Sequence, residues 1–167
     1  MRIALGSDER SHLTDFVEQD LRRRGHDVRP FGLLNGEAQS WPDVAAAVAE
    51  CVAAGEADEG VLFCWTGTGV SIAANKVPGI RAALCGDAET ARGARAWNQA
   101  NVLCLSLRNT SEILASEMLD AWFSASSDPG EAENVDKVNK LDERYRPTPR
   151  GVPARTVSPG RGKKGRS

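Results

Sequence analysis

Only two histidines occur in the sequence, and its four cysteines, at positions 51, 64, 85 and 104, form no Cys-x-x-Cys pair. That scarcity leaves no closely spaced Cys/His set for zinc, and the spacing suggests no disulfide framework. No run approaches the roughly 20 apolar residues needed to cross a bilayer. The chain opens Met1-Arg2-Ile3-Ala4-Leu5 and then reaches Gly6-Ser7-Asp8-Glu9, which is not the pattern of a secretory signal, so the expected address is cytoplasmic. Internal repeats are missing too. Acids are absent from residues 146–167, which carry Arg146, Arg150, Arg155, Arg161, Lys163, Lys164 and Arg166. Setting those seven apart from the 21 basic residues leaves residues 1–145 near −9 against their 23 acids, an asymmetry that the formal total of −2 hides. The tail reads as a disordered, solubilising extension, because its Pro, Gly and Arg content cannot bury a core. Contact with nucleic acid is the weaker reading, since the body is acidic.

What is present is ordinary globular composition, with 41% hydrophobic and 26% charged residues. A chain of 167 residues suits one domain with a full core. Residues 2–5 read as a buried strand followed by a helix with Leu13, Phe16, Val17 and Leu21 on one face, stopping near Gly25. A short strand is expected around Val28. Trp41-Pro42 opens a helix whose alanines and valines at 45, 46, 48 and 49 form a small-residue face that brings it close to a sheet. Val61-Leu62-Phe63 is a further strand, running into the sharpest strand-to-helix junction of the chain, Cys64-Trp65-Thr66-Gly67-Thr68-Gly69. Strands are expected again at 81–85 and 101–105, separated by a helix over 87–97 that Asp87 caps. Thr110 is the expected cap of a helix with Ile113, Leu114, Met118 and Trp122 inward. A charged last helix over 131–145 has a narrow apolar stripe of Val135, Val138 and Leu141 and needs a packing partner. This alternation predicts a mostly parallel sheet covered on both sides.

In such sheets ligands collect beyond the carboxyl ends of the strands, which directs attention to Asp8, Cys64, Gly86/Asp87 and Ser106. The run Thr66-Gly67-Thr68-Gly69 before a helix can hold an anion or a developing oxyanion on backbone N–H groups. Gly-x-Gly is equally a tight turn, and the fuller dinucleotide and phosphate-loop fingerprints are missing. Cys64 is either a base or nucleophile or a small buried group. Asp8 can orient hydroxyls or exchange a proton, or order its turn; Glu9 can bind hydroxyls or favour the helix dipole. Asn75 and Asn98 offer donors and acceptors but also suit helix ends. Trp97 fits a pocket wall or the core, and Arg108 an anion site or the surface.

Taken together, Met1-Arg2-Ile3-Ala4-Leu5-Gly6-Ser7-Asp8 and Cys64-Trp65-Thr66-Gly67-Thr68-Gly69-Val70-Ser71-Ile72-Ala73-Ala74-Asn75-Lys76 resemble the ribose-5-phosphate isomerase B and galactose-6-phosphate isomerase family. Val77-Pro78-Gly79-Ile80-Arg81-Ala82, residues 98–103 and Arg108 extend the likeness across residues 1–145. The resemblance implies an α/β, Rossmann-like three-layer sandwich over 1–145, followed by the basic tail. It further implies a dimer or tetramer with active sites built between subunits, and an aldose–ketose isomerisation that needs no metal or cofactor. By that resemblance Cys64 is the base that moves a proton between adjacent sugar carbons through an enediol, Thr66 is its helper, and Gly67, Thr68, Gly69 and Val70 form the oxyanion-stabilising turn. Asp8 matches the acid tied to ring opening and hydroxyl binding.

The chain also departs from the family pattern. Glu9 stands where a histidine usually follows the aspartate, and Trp97 where a ring-opening histidine precedes Asn98. Glu133 and Asn134 stand at an arginine and histidine pair that binds phosphate, and Lys137 at a second arginine. An ionised carboxylate repels phosphate, which leaves Arg108 and Lys137 to hold an anion. The expectation is therefore a divergent isomerase of a sugar or sugar phosphate with an altered outer pocket, formed of Glu9, Asn75, Trp97, Asn98, Arg108, Glu133 and Lys137 beside the loop. The alternative is a non-catalytic carbohydrate or nucleotide-sugar binding protein that kept the pocket and lost the chemistry.

Overall fold

The computed structural model describes residues 1–145; the expected basic tail lies outside the described residues. Five strands, β1 (Arg2–Ser7), β2 (Asp27–Gly32), β3 (Glu59–Cys64), β4 (Ala82–Leu84) and β5 (Val102–Ser106), form one parallel sheet in the order β2-β1-β3-β5-β4. Six α-helices alternate with and follow them: α1 (His12–Arg23), α2 (Trp41–Ala53), α3 (Thr68–Ala74), α4 (Ala88–Asn98), α5 (Glu112–Ser124) and α6 (Ala132–Tyr145).

Period-2 alternation along the strands builds the two cores. Ile3, Leu5, Val61, Phe63, Leu103 and Leu105 face one side and meet α1, α4 and α5. Ala4, Leu62, Cys64, Val102 and Cys104 face the other and meet α2 and α3. The small-residue face expected of α2 does come close to the sheet: a Cβ on Gly6 would lie 2.7 and 2.8 Å from Val48 and Val44. This is the three-layer sandwich the sequence implies, with α6 beside α4 at the β4 edge.

Local capping agrees with the sequence at α4, where Asp87 Oδ1 accepts from Thr90 N at 2.7 Å; at α1 the cap is Ser11, which forms a reciprocal box with Thr14, and not Asp8. It differs at α5. Ser111 Oγ accepts from Leu114 N at 3.2 Å and is the cap, whereas Thr110 N donates to Ser106 O. Ile113 is likewise exposed instead of inward, because the buried stripe of α5 runs through Ala115, Met118, Leu119 and Trp122. On α6 only Val135 is buried, and Val138 and Leu141 remain about half exposed.

The strand order reverses between β1 and β3. From β1 the chain moves outward to β2, and from β3 it moves to the opposite edge. A crevice at such a switch point is where open α/β sheets place ligands. Ser7 pairs with Phe63 there, so Asp8 and Cys64 emerge side by side.

Candidate active site

Cys64 ends β3 with its side chain almost fully buried, and the next turn is held from below. The Cys64 carbonyl accepts from Gly67 N at 3.2 Å and Leu107 N at 3.1 Å, and the Trp65 carbonyl accepts from Arg108 N and Ser106 Oγ, both at 3.0 Å. Gly67 is required by two independent constraints. Its φ is +74°, and a Cβ would lie 2.5 Å from Leu84 Cδ1 and 3.0 Å from the Leu105 carbonyl. The turn then releases the chain into α3. A helix cannot satisfy its opening N–H groups internally, and those of Thr68, Gly69 and Val70 find no backbone acceptor outside α3 among the described residues. Gly67 N–H is thus occupied in closing the turn, so three of the four expected oxyanion donors are free. Val70 contributes only its backbone, its side chain being in the core.

A cavity of about 280 Å³ opens over this turn, lined by Asp8, Trp41, Cys64, Trp65, Thr66, Thr68 and Gly69. Asp8 Oδ1 is buried with no hydrogen-bond partner among the described residues. An unsatisfied buried acceptor is costly, and a ligand hydroxyl would relieve it. The Thr66 and Thr68 hydroxyls are 2.6 Å apart and can pass a hydrogen bond to a ligand in either direction. Thr66 also lines an adjoining cavity with Gly86 and Ser106, as the carboxyl-end argument anticipates, while Asp87 is engaged in capping α4. Burial pushes the Cys85 thiol up to about 12 and also raises Cys104 and Cys51.

The outer-pocket residues divide. Arg108 is exposed, with its backbone bonded to the loop and no side-chain ion pair among the described residues. Glu9 is exposed and donates its N–H to Ser7 Oγ at 3.2 Å. Asn75, Trp97 and Asn98 do not line the Cys64 cavity; they line a separate cavity of about 420 Å³ with residues of α6. Asn75 braces α3 against β4, donating to Ala82 O at 2.8 Å and accepting from Ala82 N at 2.9 Å. Trp97 is half exposed, lying over Gly93, so it is not a core residue. Glu133 and Lys137 sit on the exposed face of α6 and pair with each other at 2.8 Å, which neutralises the cation expected to hold an anion. Trp41 and Trp65, 42% and 56% exposed, are cavity residues; sequence reasoning missed Trp41, and it included Trp65 in the candidate loop without giving it a role. The available signal was a tryptophan inside a glycine-rich turn, where packing alone has no use for one. Among the described residues no group of three or more His, Cys, Asp or Glu is arranged for a metal ion, and no helix is long and apolar enough to cross a membrane.

Comparison with known proteins gives a coherent result. A sequence model of the family described as Ribose/Galactose Isomerase matches residues 3–141. Ribose-5-phosphate isomerase B of Escherichia coli is 36% identical over 145 residues, covering 86% of this chain and 97% of that protein. D-erythrulose-4-phosphate isomerase of Pectobacterium atrosepticum is 37% identical over 145 residues, covering 83% and 93% respectively. Among solved structures, ribose-5-phosphate isomerase B of Clostridium thermocellum superposes with a TM-score of 0.81 at 38% identity, covering 87% of this chain and 99% of that one.

Proposed function

Because the chain belongs to the Ribose/Galactose Isomerase family, whose relatives are sugar-phosphate isomerases, we propose that it interconverts an aldose phosphate and the corresponding ketose phosphate with Cys64 as the base. The observation that carries this reading is the placement of Cys64 in one cavity with the unpartnered Asp8 carboxylate oxygen and the opening turn of α3. The Cys64 thiolate takes the proton from the carbon next to the carbonyl, and the electron pair moves into the C–C bond as the carbonyl oxygen becomes an enediolate. The free N–H groups of Thr68, Gly69 and Val70 stabilise that oxygen, with the Thr66 hydroxyl beside them. The thiol then returns the proton to the neighbouring carbon while a hydroxyl proton shifts between the two oxygens, so the reaction is balanced within the substrate. Asp8 is the group for hydroxyl binding and for opening a cyclic sugar, a role Trp97 cannot take because an indole is not an acid–base catalyst at neutral pH. Arg108 is the cation that receives the phosphate.

The working unit is a homo-oligomer with shared sites. Leu84 on the edge strand, Ile72, Trp97, Val138 and Leu141 are 40–61% exposed, a concentration of large apolar side chains around the β4 edge that a second copy would cover. Such an assembly would carry the Trp97–Asn98 end of α4 and the face of α6 toward a neighbouring loop. A phosphorylated sugar also stays in the compartment where it is made, which supports a cytoplasmic site of action.

The test is a panel of aldose phosphates of four to six carbons, including D-ribose 5-phosphate, in deuterated water. Turnover with deuterium appearing at the carbon next to the carbonyl is expected. Saturable binding with neither turnover nor exchange across the panel would overturn the enzyme reading in favour of a passive sugar-binding module. A stable, fully active monomer by light scattering would overturn the shared-site arrangement.

A further inference from the structure

The two tryptophans of the Cys64 cavity have no part in the mechanism above, yet their setting is specific. Trp65 lies between Cys64 and Thr66 and exposes 56% of its surface. A large apolar ring presented to water on a loose loop would be unremarkable. Here the backbone is fixed, because the Trp65 carbonyl accepts two hydrogen bonds of 3.0 Å, from Ser106 Oγ and Arg108 N. Across the cavity, Trp41 begins α2 with its ring against Gly69, where a Cβ would lie 3.1–3.3 Å from the indole carbons. Two exposed indoles therefore line a small chamber whose remaining lining includes Asp8, Thr66 and Thr68. Alternation of aromatic faces with hydroxyl-binding groups matches the chemistry of a sugar chain, which carries C–H bonds on its faces and hydroxyls at its edges.

We propose that Trp65 is a substrate-positioning residue whose indole packs on the C–H face of the sugar-phosphate carbon chain above Cys64 and shields that chain from water. The inference rests on the isomerase reading for its substrate class. It adds a specificity surface: chains long enough to extend from Cys64 across the indole are favoured over shorter ones. The same peptide unit links the ring to Arg108, so the stacking surface and the phosphate-binding cation are held in one register. Shielding also limits exchange of the transferred proton with solvent.

The experiment compares wild type, Trp65→Ala and Trp65→Phe with D-ribose 5-phosphate and D-erythrulose 4-phosphate. Turnover, indole fluorescence and oligomeric state are measured together. Trp65→Ala is expected to raise KM on the order of tenfold, with a smaller fall in kcat. It should also increase solvent deuterium in the product, and Trp65→Phe should recover most of the loss. Saturable fluorescence quenching by D-ribose 5-phosphate should be present in wild type and clearly reduced in Trp65→Phe, with only the share of Trp41 in the same cavity remaining. A folded alanine variant with unchanged KM and isotope pattern would overturn the proposal while leaving the isomerase reading in place. Loss of activity that follows dissociation of the oligomer would overturn it too, assigning Trp65 to contact between copies. If wild type turns over no sugar of the four- to six-carbon panel but its quenching falls in Trp65→Phe, the stacking stands and the isomerase reading fails; with neither turnover nor quenching across the panel, both fall. Should Trp65→Ala not fold, Trp65→Phe still decides, because quenching at this position needs an indole there.

Discussion

Strand β3 begins at Glu59 and ends at Cys64, and the two ends of this one strand treat polar groups in opposite ways. At the amino end Glu59 is buried, but Oε2 accepts from Trp122 Nε1 at 2.5 Å and Oε1 faces Arg95 Nη2 at 2.6 Å. The Arg95 guanidinium lies 5.2 Å from the Trp122 ring and donates to Ala100 O at 2.6 Å; among the described residues its Nε has no partner. At the carboxyl end, among the described residues, Asp8 Oδ1 is buried and unpartnered and the first N–H groups of α3 lack backbone acceptors, while two indoles are about half exposed. Burying polar groups without partners is unfavourable by the same physics at both ends. The difference teaches where to look for each property: the end whose carboxylate is fully paired supports the fold, and the end whose carboxylate oxygen and N–H groups lack partners is where the proposed substrate would bind.

The comparison is broken most severely if the two ends fail to separate rate from stability. Cys64→Ser is expected to lower substrate-dependent hydrogen exchange by about 10²- to 10⁴-fold, the range for loss of a general base, because a serine hydroxyl ionises far less readily than a thiol. Cysteine and serine are close in size, so the denaturation midpoint and ligand binding should change little. Near-normal exchange by a folded Cys64→Ser protein would assign the proton transfer to another group, with Asp8 acting through water the first candidate.

The converse substitution is Glu59→Ala. It strips partners from the Trp122 N–H and from the Arg95 guanidinium, both largely buried, and should destabilise the fold by about 2–3 kcal/mol. Urea denaturation measures that loss, and KM under native conditions should stay close to wild type. A large rise in KM without loss of stability would show that the amino end also communicates with the site, and the division drawn above would fail.

The fold and the carboxyl-end half of this division are legible in the sequence, whereas the Glu59–Arg95–Trp122 cluster carries no local signal and appears only when α4 and α5 pack beside β3. The alternation of strands and helices follows from apolar periodicity, and Asp8 and Cys64 at two strand ends follow from the carboxyl-end rule for parallel sheets. What escaped depends on tertiary packing. Ser111 rather than Thr110 caps α5 because the helix begins one residue later, and Ile113 is exposed because the buried stripe starts at Ala115. Trp97 fits a pocket wall or the core by sequence alone; that its ring, like those of Trp41 and Trp65, is about half exposed appears only once the helices are placed. Asn75 is a plausible ligand group by type, and its bonding to Ala82 appears only once β4 is placed beside α3.

A smaller effect sharpens the carboxyl end. Arg108→Ala should raise KM for a phosphorylated substrate about tenfold or more, the worth of one charge-assisted hydrogen bond, with kcat nearly unchanged. The unphosphorylated sugar, assayed at high concentration, should be indifferent to the substitution. Equal losses for both substrates would mean that Arg108 supports the loop through its position and not the phosphate through its charge.

The smallest expected effect concerns pH and belongs to the amino end. Burial raises the Glu59 carboxyl above its ordinary 4.5, and the Trp122 hydrogen bond and the Arg95 charge offset this only in part. A carboxyl raised in the folded state binds its proton more tightly there than in the unfolded chain. Its contribution to stability is therefore complete below about pH 4.5 and is lost as the pH rises through the folded value. Asp20 runs the other way. Its burial favours protonation, but Arg23 and Arg24 hold it below 3.8, so its contribution is present above that value and lost as the solution is acidified below it. The two windows lie on either side of pH 4, which lets one variant isolate one group. Glu59→Gln keeps the shape and an acceptor for Trp122 but cannot titrate. Measured by urea denaturation between pH 4 and 7, the wild type should lose stability relative to Glu59→Gln as the pH rises, with the acid limb below pH 4 common to both. Parallel curves across that range would mean that Arg95 keeps Glu59 ionised throughout, making the amino-end cluster a true buried ion pair.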